Sequence, residues 1–320
     1  MRHMFRLWPG NSASALLRRR RPCSWPCRGA VGQLFSSSSK PSLFVHRHLK
    51  AINGEDLVPY DEAEEHQEQL RKRHLEWKST ESGEPLVPHL LSFESRPIYT
   101  LGRRQGNLTP GEEGILQRQL FVNLHQRNKH IQETFLPDVK KTNRGGLTTY
   151  HGPGQLVLWP VLDMHSPLYP KYSVSSYASH LEATTQRLLD EVFNVKSFTS
   201  HDEPGVWVES PAGQPRKIAA LGVHHRRYIT ALGTAINIDI KVTGDAPENP
   251  WVRFIPCGIE GKEVTSVAEE IGIAKDNLIF DLEDLARQWA RIFEEGLVDA
   301  SKRGRFKTLM LAFDWNWSSW

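Results

Sequence analysis

The stretch from Arg144 to Gln155 constrains this chain more than any other, reading Arg-Gly-Gly-Leu-Thr-Thr-Tyr-His-Gly-Pro-Gly-Gln. Its glycines and proline argue against an ordinary helix or central strand. Glycine tolerates positive φ and close backbone approach, and Pro153 has a fixed φ and no N–H. Arg144, Tyr150 and His151 sit between these breakers: a permanent cation, a donor on an aromatic body, and a group that titrates near neutrality. The apolar run Leu156-Val157-Leu158-Trp159 follows at once and reads as a buried strand. Taken alone, the stretch is either a hairpin loop with a surface histidine or a rim of polar groups held over a pocket.

The pattern Arg144-Gly-Gly-x-x-Thr-Tyr-His-Gly-Pro-Gly-Gln155 closely resembles the signature of the lipoyl(octanoyl) transferases, the octanoyl–acyl carrier protein:protein transferases of lipoate synthesis. A second segment is similar to the same family: Glu94, Pro97, Tyr99, Thr100, Leu101, Gly102 and Arg103 match Glu-x-x-Pro-x-Tyr-Thr-Leu-Gly-Arg. The resemblance runs from about Leu90 to Val267.

Charge separates the two ends of the chain. Residues 1–39 hold seven of the 40 Lys and Arg, and the first acidic residue is Glu55. The remaining 33 basic residues face 37 acidic ones, so no nucleic-acid-binding domain is expected. The leader is Arg-rich, contains Ser and lacks acid. Met4, Phe5, Leu7, Leu16 and Leu17 lie among Arg2, Arg6 and Arg18 to Arg21, which reads as a mitochondrial presequence, the alternative being a disordered basic tail that binds an acidic partner. Processing is expected between Arg28 and Lys40, which would place the mature protein in the mitochondrial matrix. No apolar run approaches the roughly 18 residues of a membrane helix, so no membrane span is expected.

Of the three cysteines, Cys23 and Cys27 fall in the leader with no second Cys or His pair nearby to complete a metal site. Cys257 remains alone in the mature chain, either a buried small hydrophobe or a reactive thiol. No metal site is expected.

Periodicity predicts a first strand within Pro41–Lys50 and a solvated helix from Asp61 to Lys78. Leu90 to Leu101 reads as two strands broken at Pro97. Asn107 to Lys141 reads as an insertion or long loop with no assigned function. Pro160 is expected to make the strand after the signature an edge or a bulge. Ser173 to Phe193 has a helical stripe, with Glu182 and Asp190 on its polar side. Gly205 to Glu209 is a short strand, and Lys217–Thr230 and Thr234–Ile240 read as a hairpin turning near Ala231-Leu232-Gly233. A short helix over Thr265–Ile271 and a longer one capped by Asp281 follow. Without a βαβ rhythm, the fold class is α+β, with mixed sheets and flanking helices. The expected divisions are a presequence over 1–39, a catalytic domain over 40–303 and an aromatic tail over 304–320.

Lys217 in Lys-Ile-Ala and Cys257 in Pro-Cys-Gly-Ile are unremarkable in isolation, as an edge lysine and a structural cysteine. The resemblance makes them a pair, since the family joins a lysine and a cysteine in these two motifs as a catalytic dyad. It also implies a biotin/lipoate ligase-like fold. The acyl pocket would be lined by Arg144, Gly145, Gly146, Leu147, Thr148, Thr149, Tyr150 and His151, with Ala220, Leu221, Gly222, Gly233, Thr234 and Ala235. It implies octanoyl–acyl carrier protein as donor. The acceptors would be the lipoyl domains of 2-oxo acid dehydrogenases and the glycine cleavage H protein. No cofactor would be needed, because the thioester is already activated. Gly145-Gly146 and Gly222 are candidate N–H donors to an oxyanion. One position departs from the family: Leu232 stands where a histidine is usual.

The alternative is an ATP-dependent lipoate or biotin protein ligase. Gly102-Arg103-Arg104-Gln105-Gly106 partly resembles a ligase's Gly-Arg-Gly-Arg loop but lacks its second glycine. A non-catalytic module that binds carrier or lipoyl domains would have no need of both Lys217 and Cys257.

Overall fold

A computed structural model describes residues 42–80, 83–126, 129–254, 263–272 and 280–303. The leader with Cys23 and Cys27, the Pro-Cys-Gly motif with Cys257, and the aromatic tail lie outside the described residues. The strands are β1 (Val45–His48), β2 (Leu57–Val58), β3 (His89–Ser95), β4 (Ile98–Leu101), β5 (Leu120–Gln126), β6 (Lys129–Phe135), β7 (Asp138–Lys141), β8 (Thr148–His151), β9 (Gln155–Val161), β10 (Phe198–Thr199), β11 (Gly205–Glu209), β12 (Pro215–Arg226), β13 (Ile229–Asn237) and β14 (Glu263–Val264). The helices are α1 (Tyr60–Thr80), α2 (Pro110–Leu116), α3 (Val174–Phe193), α4 (Val267–Glu270) and α5 (Leu282–Arg303).

Among the described residues the main sheet runs β1-β3-β9-β13-β12-β11-β10, with β2 beside β3 and β14 beside β12. Its β1–β3, β2–β3 and β12–β14 pairs are parallel and the others antiparallel. The class is α+β with a mixed sheet. β9 lies in the middle of it, and its apolar run splits by the period of two. Leu156 and Leu158 join one core with α3 and α5, while Val157 and Trp159 join another with Tyr60 and Ala63 of α1. A strand covered on both faces needs no polar alternation.

Ser173 caps α3 in a capping box, and Asp281 Oδ1 accepts from Asp284 N at 2.9 Å at the start of α5. Tyr177, Leu181, Leu188 and Leu189 of α3 and Leu285, Trp289 and Phe293 of α5 are all buried in the same core.

Four expectations are corrected. The segment from Asn107 to Lys141 is structured: it holds α2, the β5–β6 hairpin and β7, which pairs in parallel with β4. Thr109 and Glu112 form a capping box at α2, a signal present in the sequence. Arg253 then fastens this segment by donating to the carbonyls of Leu116, Arg118, Gln119 and Ala246.

Pro160 does not make β9 an edge. It pairs with Leu90 on one side. On the other, the ladder to β13 lapses beyond Leu158–Thr234, where Leu232 takes φ 61°. The missing N–H falls in that gap, and the Thr230 hydroxyl donates to the Pro160 carbonyl at 2.9 Å.

The hairpin turns at Arg227-Tyr228, with φ values of 51° and 69°, and Ala231 to Gly233 lie inside β13. Two residues at positive φ make a primed turn, which carries the twist of the flanking strands. No Asn-Gly marks it; instead Tyr228 stacks on His165 at 3.8 Å.

Glu182 is not on the polar side of α3. Its carboxylate is partly buried and accepts from the N–H of Gly205 at 2.8 Å.

Candidate active site

The signature is itself partly a strand. β8 is the edge of a small sheet, β7-β4-β8, and the glycines flank it. Arg103 N donates to the Arg144 carbonyl at 2.9 Å and Arg104 N to the Gly146 carbonyl at 3.2 Å, so the loops after β4 and before β8 run together. The approach demands glycine at 102, where a Cβ would meet the Gly146 carbonyl at 2.3 Å. Arg144 is buried, and its guanidinium is spent on the chain: it donates to the Thr100 carbonyl, to Thr100 Oγ1 at 3.1 Å and to the Gly145 carbonyl at 3.0 Å.

A cavity of about 490 Å³ opens between these loops, β12, β13 and α1. Arg144, Gly145, Gly146, Leu147, Thr149 and His151 line it from the signature, and Ala220, Leu221, Gly222, Gly233, Thr234 and Ala235 from the hairpin. Gly222 and Gly233 are register partners, and a Cβ at Gly233 would meet the Leu158 carbonyl at 2.1 Å. The N–H groups of Gly145 and Gly146 donate to no described residue.

Thr148 and Tyr150 do not line the cavity. Alternation along β8 turns them to the other face, where Thr148 donates to Gln105 Oε1 at 2.9 Å. Tyr150 packs there against Tyr99 and Trp251, with centroids 5.1 and 5.8 Å away.

Lys217 is buried in β12 and lines the cavity, with Nζ 4.5 Å from the Trp207 ring centroid and 3.4 Å from the Pro204 carbonyl. A β-bulge turns it there. Lys217 pairs with Trp207 and Ala219 with Val206, leaving Ile218 as the extra residue. Ile218 and Ala219 consequently share the α3/α5 core, while Lys217 and Ala220 both face the cavity. Without the bulge, Lys217 would be in phase with Ala219 and would point into that core.

The Lys217 carbonyl accepts from Thr265 N at 3.0 Å, and Lys217 pairs with Val264 of β14. The described chain thus stops at Phe254 and resumes at Glu263, in a strand that pairs beside the lysine.

His151 is buried against Tyr60, ring centroids 5.6 Å apart, and its Nδ1 lies 2.7 Å from Gln155 Oε1. Burial, aided by Arg144, pushes its pKa down to about 4, against the effect of the Gln155 hydrogen bond. The ring is neutral at pH 7.

Several lining residues carried no sequence signal: Tyr60 at the start of α1, Trp159 of β9, and Asp202-Glu203-Pro204 before β11. His224 and His225 also line the cavity, and His224 follows Val223, the register partner of Leu232. Leu232, where the family usually has a histidine, is buried with Trp159 and Tyr60.

Residues 60–294 match the lipoyl protein ligase A/B catalytic domain, and the chain belongs to that family. The octanoyl-[acyl-carrier-protein]:protein N-octanoyltransferase LIPT2, mitochondrial, of Danio rerio is 37% identical over 216 residues, 67% of this chain and 79% of that one. The octanoyltransferase of Christiangramia forsetii is 32% identical over 245 residues, 75% of this chain and 94% of its own. Within the family the chain is a member of the octanoyltransferases, and so an acyltransferase. A crystal structure of P. falciparum LipL1 with lipoate aligns over 79% of this chain and 63% of that one, at 11% identity and TM-score 0.44.

Proposed function

We propose that this protein transfers an octanoyl group from octanoyl–acyl carrier protein to a lysine of lipoyl domains, through a thioester on Cys257. The observation that carries the reading is a buried ammonium, Lys217, turned by a bulge into a cavity walled by the signature glycines. An ammonium favours the thiolate form of a nearby thiol, whose ordinary pKa of about 8.5 leaves little thiolate at neutral pH. The Cys257 thiolate attacks the thioester carbonyl, the carrier's thiolate leaves and takes up a proton, and the octanoyl group stays on Cys257. The acceptor's lysine, as its neutral amine, then attacks this thioester. An amide forms, and the Cys257 thiol is regenerated with the proton the nitrogen loses. Lys217 serves as the proton's way station. The Gly145 and Gly146 N–H groups are the candidate oxyanion donors. No ATP is consumed.

The acceptors on this reading are the lipoyl domains of 2-oxo acid dehydrogenases and the glycine cleavage H protein. Residues 1–39 act as the presequence that delivers the enzyme to the mitochondrial matrix, in keeping with the mitochondrial name of the Danio rerio relative.

Intact-mass analysis tests the mechanism. Octanoyl–acyl carrier protein alone should add one octanoyl group, released by hydroxylamine, and Cys257→Ala should carry none. A Cys257→Ala protein that transfers octanoyl groups at the wild-type rate sinks the acyl-enzyme. If that variant also works from free octanoate and ATP, the ligase reading takes its place.

A further inference from the structure

A line of buried polar groups runs from the cavity to the strand behind Lys217. Asn237 Nδ2 donates to the Thr265 carbonyl at 3.0 Å. Gln155 Nε2 donates to Asn237 Oδ1 at 2.9 Å and to the Tyr150 carbonyl at 3.3 Å. Gln155 Oε1 lies 2.7 Å from His151 Nδ1. Thr265, Asn237, Gln155 and His151 are all buried.

Their directions are fixed by chemistry. The Thr265 and Tyr150 carbonyls only accept, so the amide nitrogens of Asn237 and Gln155 must face them. Rotating either amide would set oxygen against oxygen. Gln155 therefore shows its oxygen to the ring, and only a proton on Nδ1 satisfies it. In a neutral imidazole that leaves the lone pair on Nε2. His151 lines the cavity, and Nε2 makes no hydrogen bond to the described residues.

We propose that Gln155 and Asn237 are positioning residues that hold His151 as the Nδ1–H tautomer, so that Nε2 meets substrate as a hydrogen-bond acceptor. His151 then receives a substrate N–H or ammonium group, such as the acceptor's lysine, and does not donate to an oxyanion. The substrate half rests on the octanoyl-transfer reading; the tautomer half does not. Anchoring at Thr265 also ties the ring to the backbone that flanks Lys217, since Thr265 N donates to the Lys217 carbonyl at 3.0 Å.

The full chain labelled with ¹⁵N-histidine decides this, with the His151 ring assigned through its backbone resonances. A ¹⁵N–¹H correlation spectrum at pH 7 should show Nδ1 protonated and Nε2 bare. Gln155→Leu should move the ring toward the Nε2–H form and lower kcat/KM about tenfold. Gln155→Glu keeps an acceptor oxygen there. It should retain the tautomer and move the acid limb of the pH–rate profile upward, a shift that a purely structural role would not produce. A wild-type ring protonated on Nε2 overturns the proposal, whatever the variants do, and leaves octanoyl transfer untouched. Gln155→Leu with full kcat/KM overturns the substrate half alone. Failure of the octanoyl-transfer reading would appear instead as no wild-type octanoylation at all, with the tautomer unchanged.

Discussion

Lys217 and Trp207 are register partners across β11 and β12, and the lysine's ammonium rests 4.5 Å from the indole centroid. The indole therefore helps to hold the charge at the cavity wall. A cation over an aromatic face gains about 0.5–2 kcal/mol, and 1.4 kcal/mol is tenfold in rate. Trp207→Leu should lower the rate of Cys257 acylation by about two- to thirtyfold, whereas Trp207→Phe, which keeps a ring, should lose less. Stopped-flow acylation of the two variants checks this; equal losses would mean that the ring only fills space.

Lys217→Ala should leave the Cys257 thiol in place and slow its acylation. The charge that favours thiolate is gone, so raising the pH toward the ordinary thiol pKa of about 8.5 should restore part of the rate. Cys257→Ala should show no such recovery. A Lys217→Ala rate flat from pH 7 to 9 would remove the lysine from thiol activation.

Glu94 accepts from the N–H of Gly154 at 2.5 Å, at the turn of the signature, and burial pushes its pKa up to about 7 from 4.5. Glu182, against Gly205 N, is likewise raised by burial to about 7. Because the folded state binds these protons more tightly, their contribution is full below the unfolded pKa and is lost as pH rises through about 7. Each group should cost on the order of 1–3 kcal/mol between pH 4.5 and 7.5. Glu94→Gln keeps the acceptor oxygen and removes the titration, so urea melts should show a flatter pH dependence and greater stability at pH 7.5. Parallel stability curves for the two proteins would refute the assignment.

Arg253 donates to four carbonyls, three of them at the end of α2 and the residues after it. Arg253→Ala leaves those acceptors unpaired in a buried place and should destabilise the protein by about 2–4 kcal/mol. Arg253→Lys, with one compact ammonium for a planar fork, should recover only part of it. Thermal melts of both variants measure the difference.

Much of the site was legible before any fold was known. The glycines, Arg144 and His151 stood out through their resemblance to the family's signature, and the same resemblance singled out Lys217, which lines the cavity. His224 and His225 were not assigned to the cavity, and their strand gives a reason: nothing local to that strand says which face is enclosed. The reverse error fell on Thr148 and Tyr150, grouped with the cavity because they share a motif with residues that line it. A motif marks a stretch of chain, whereas a strand divides its residues between two faces.

By itself the sequence determined whatever depends on neighbours within a turn or two: the capped helices α3 and α5, the buried run of β9, and the glycines that permit close approach. Tertiary structure decided the rest. The hairpin reverses at Arg227-Tyr228 because its partner strands and the Tyr228–His165 stack hold two residues at positive φ. Pro160 sits in a central strand because the neighbouring ladder lapses opposite it. Lys217 faces the cavity because Ile218 bulges against β11, shifting the strand's alternation by one residue. That shift arises from pairing and core packing across the sheet, which no local run of residues encodes.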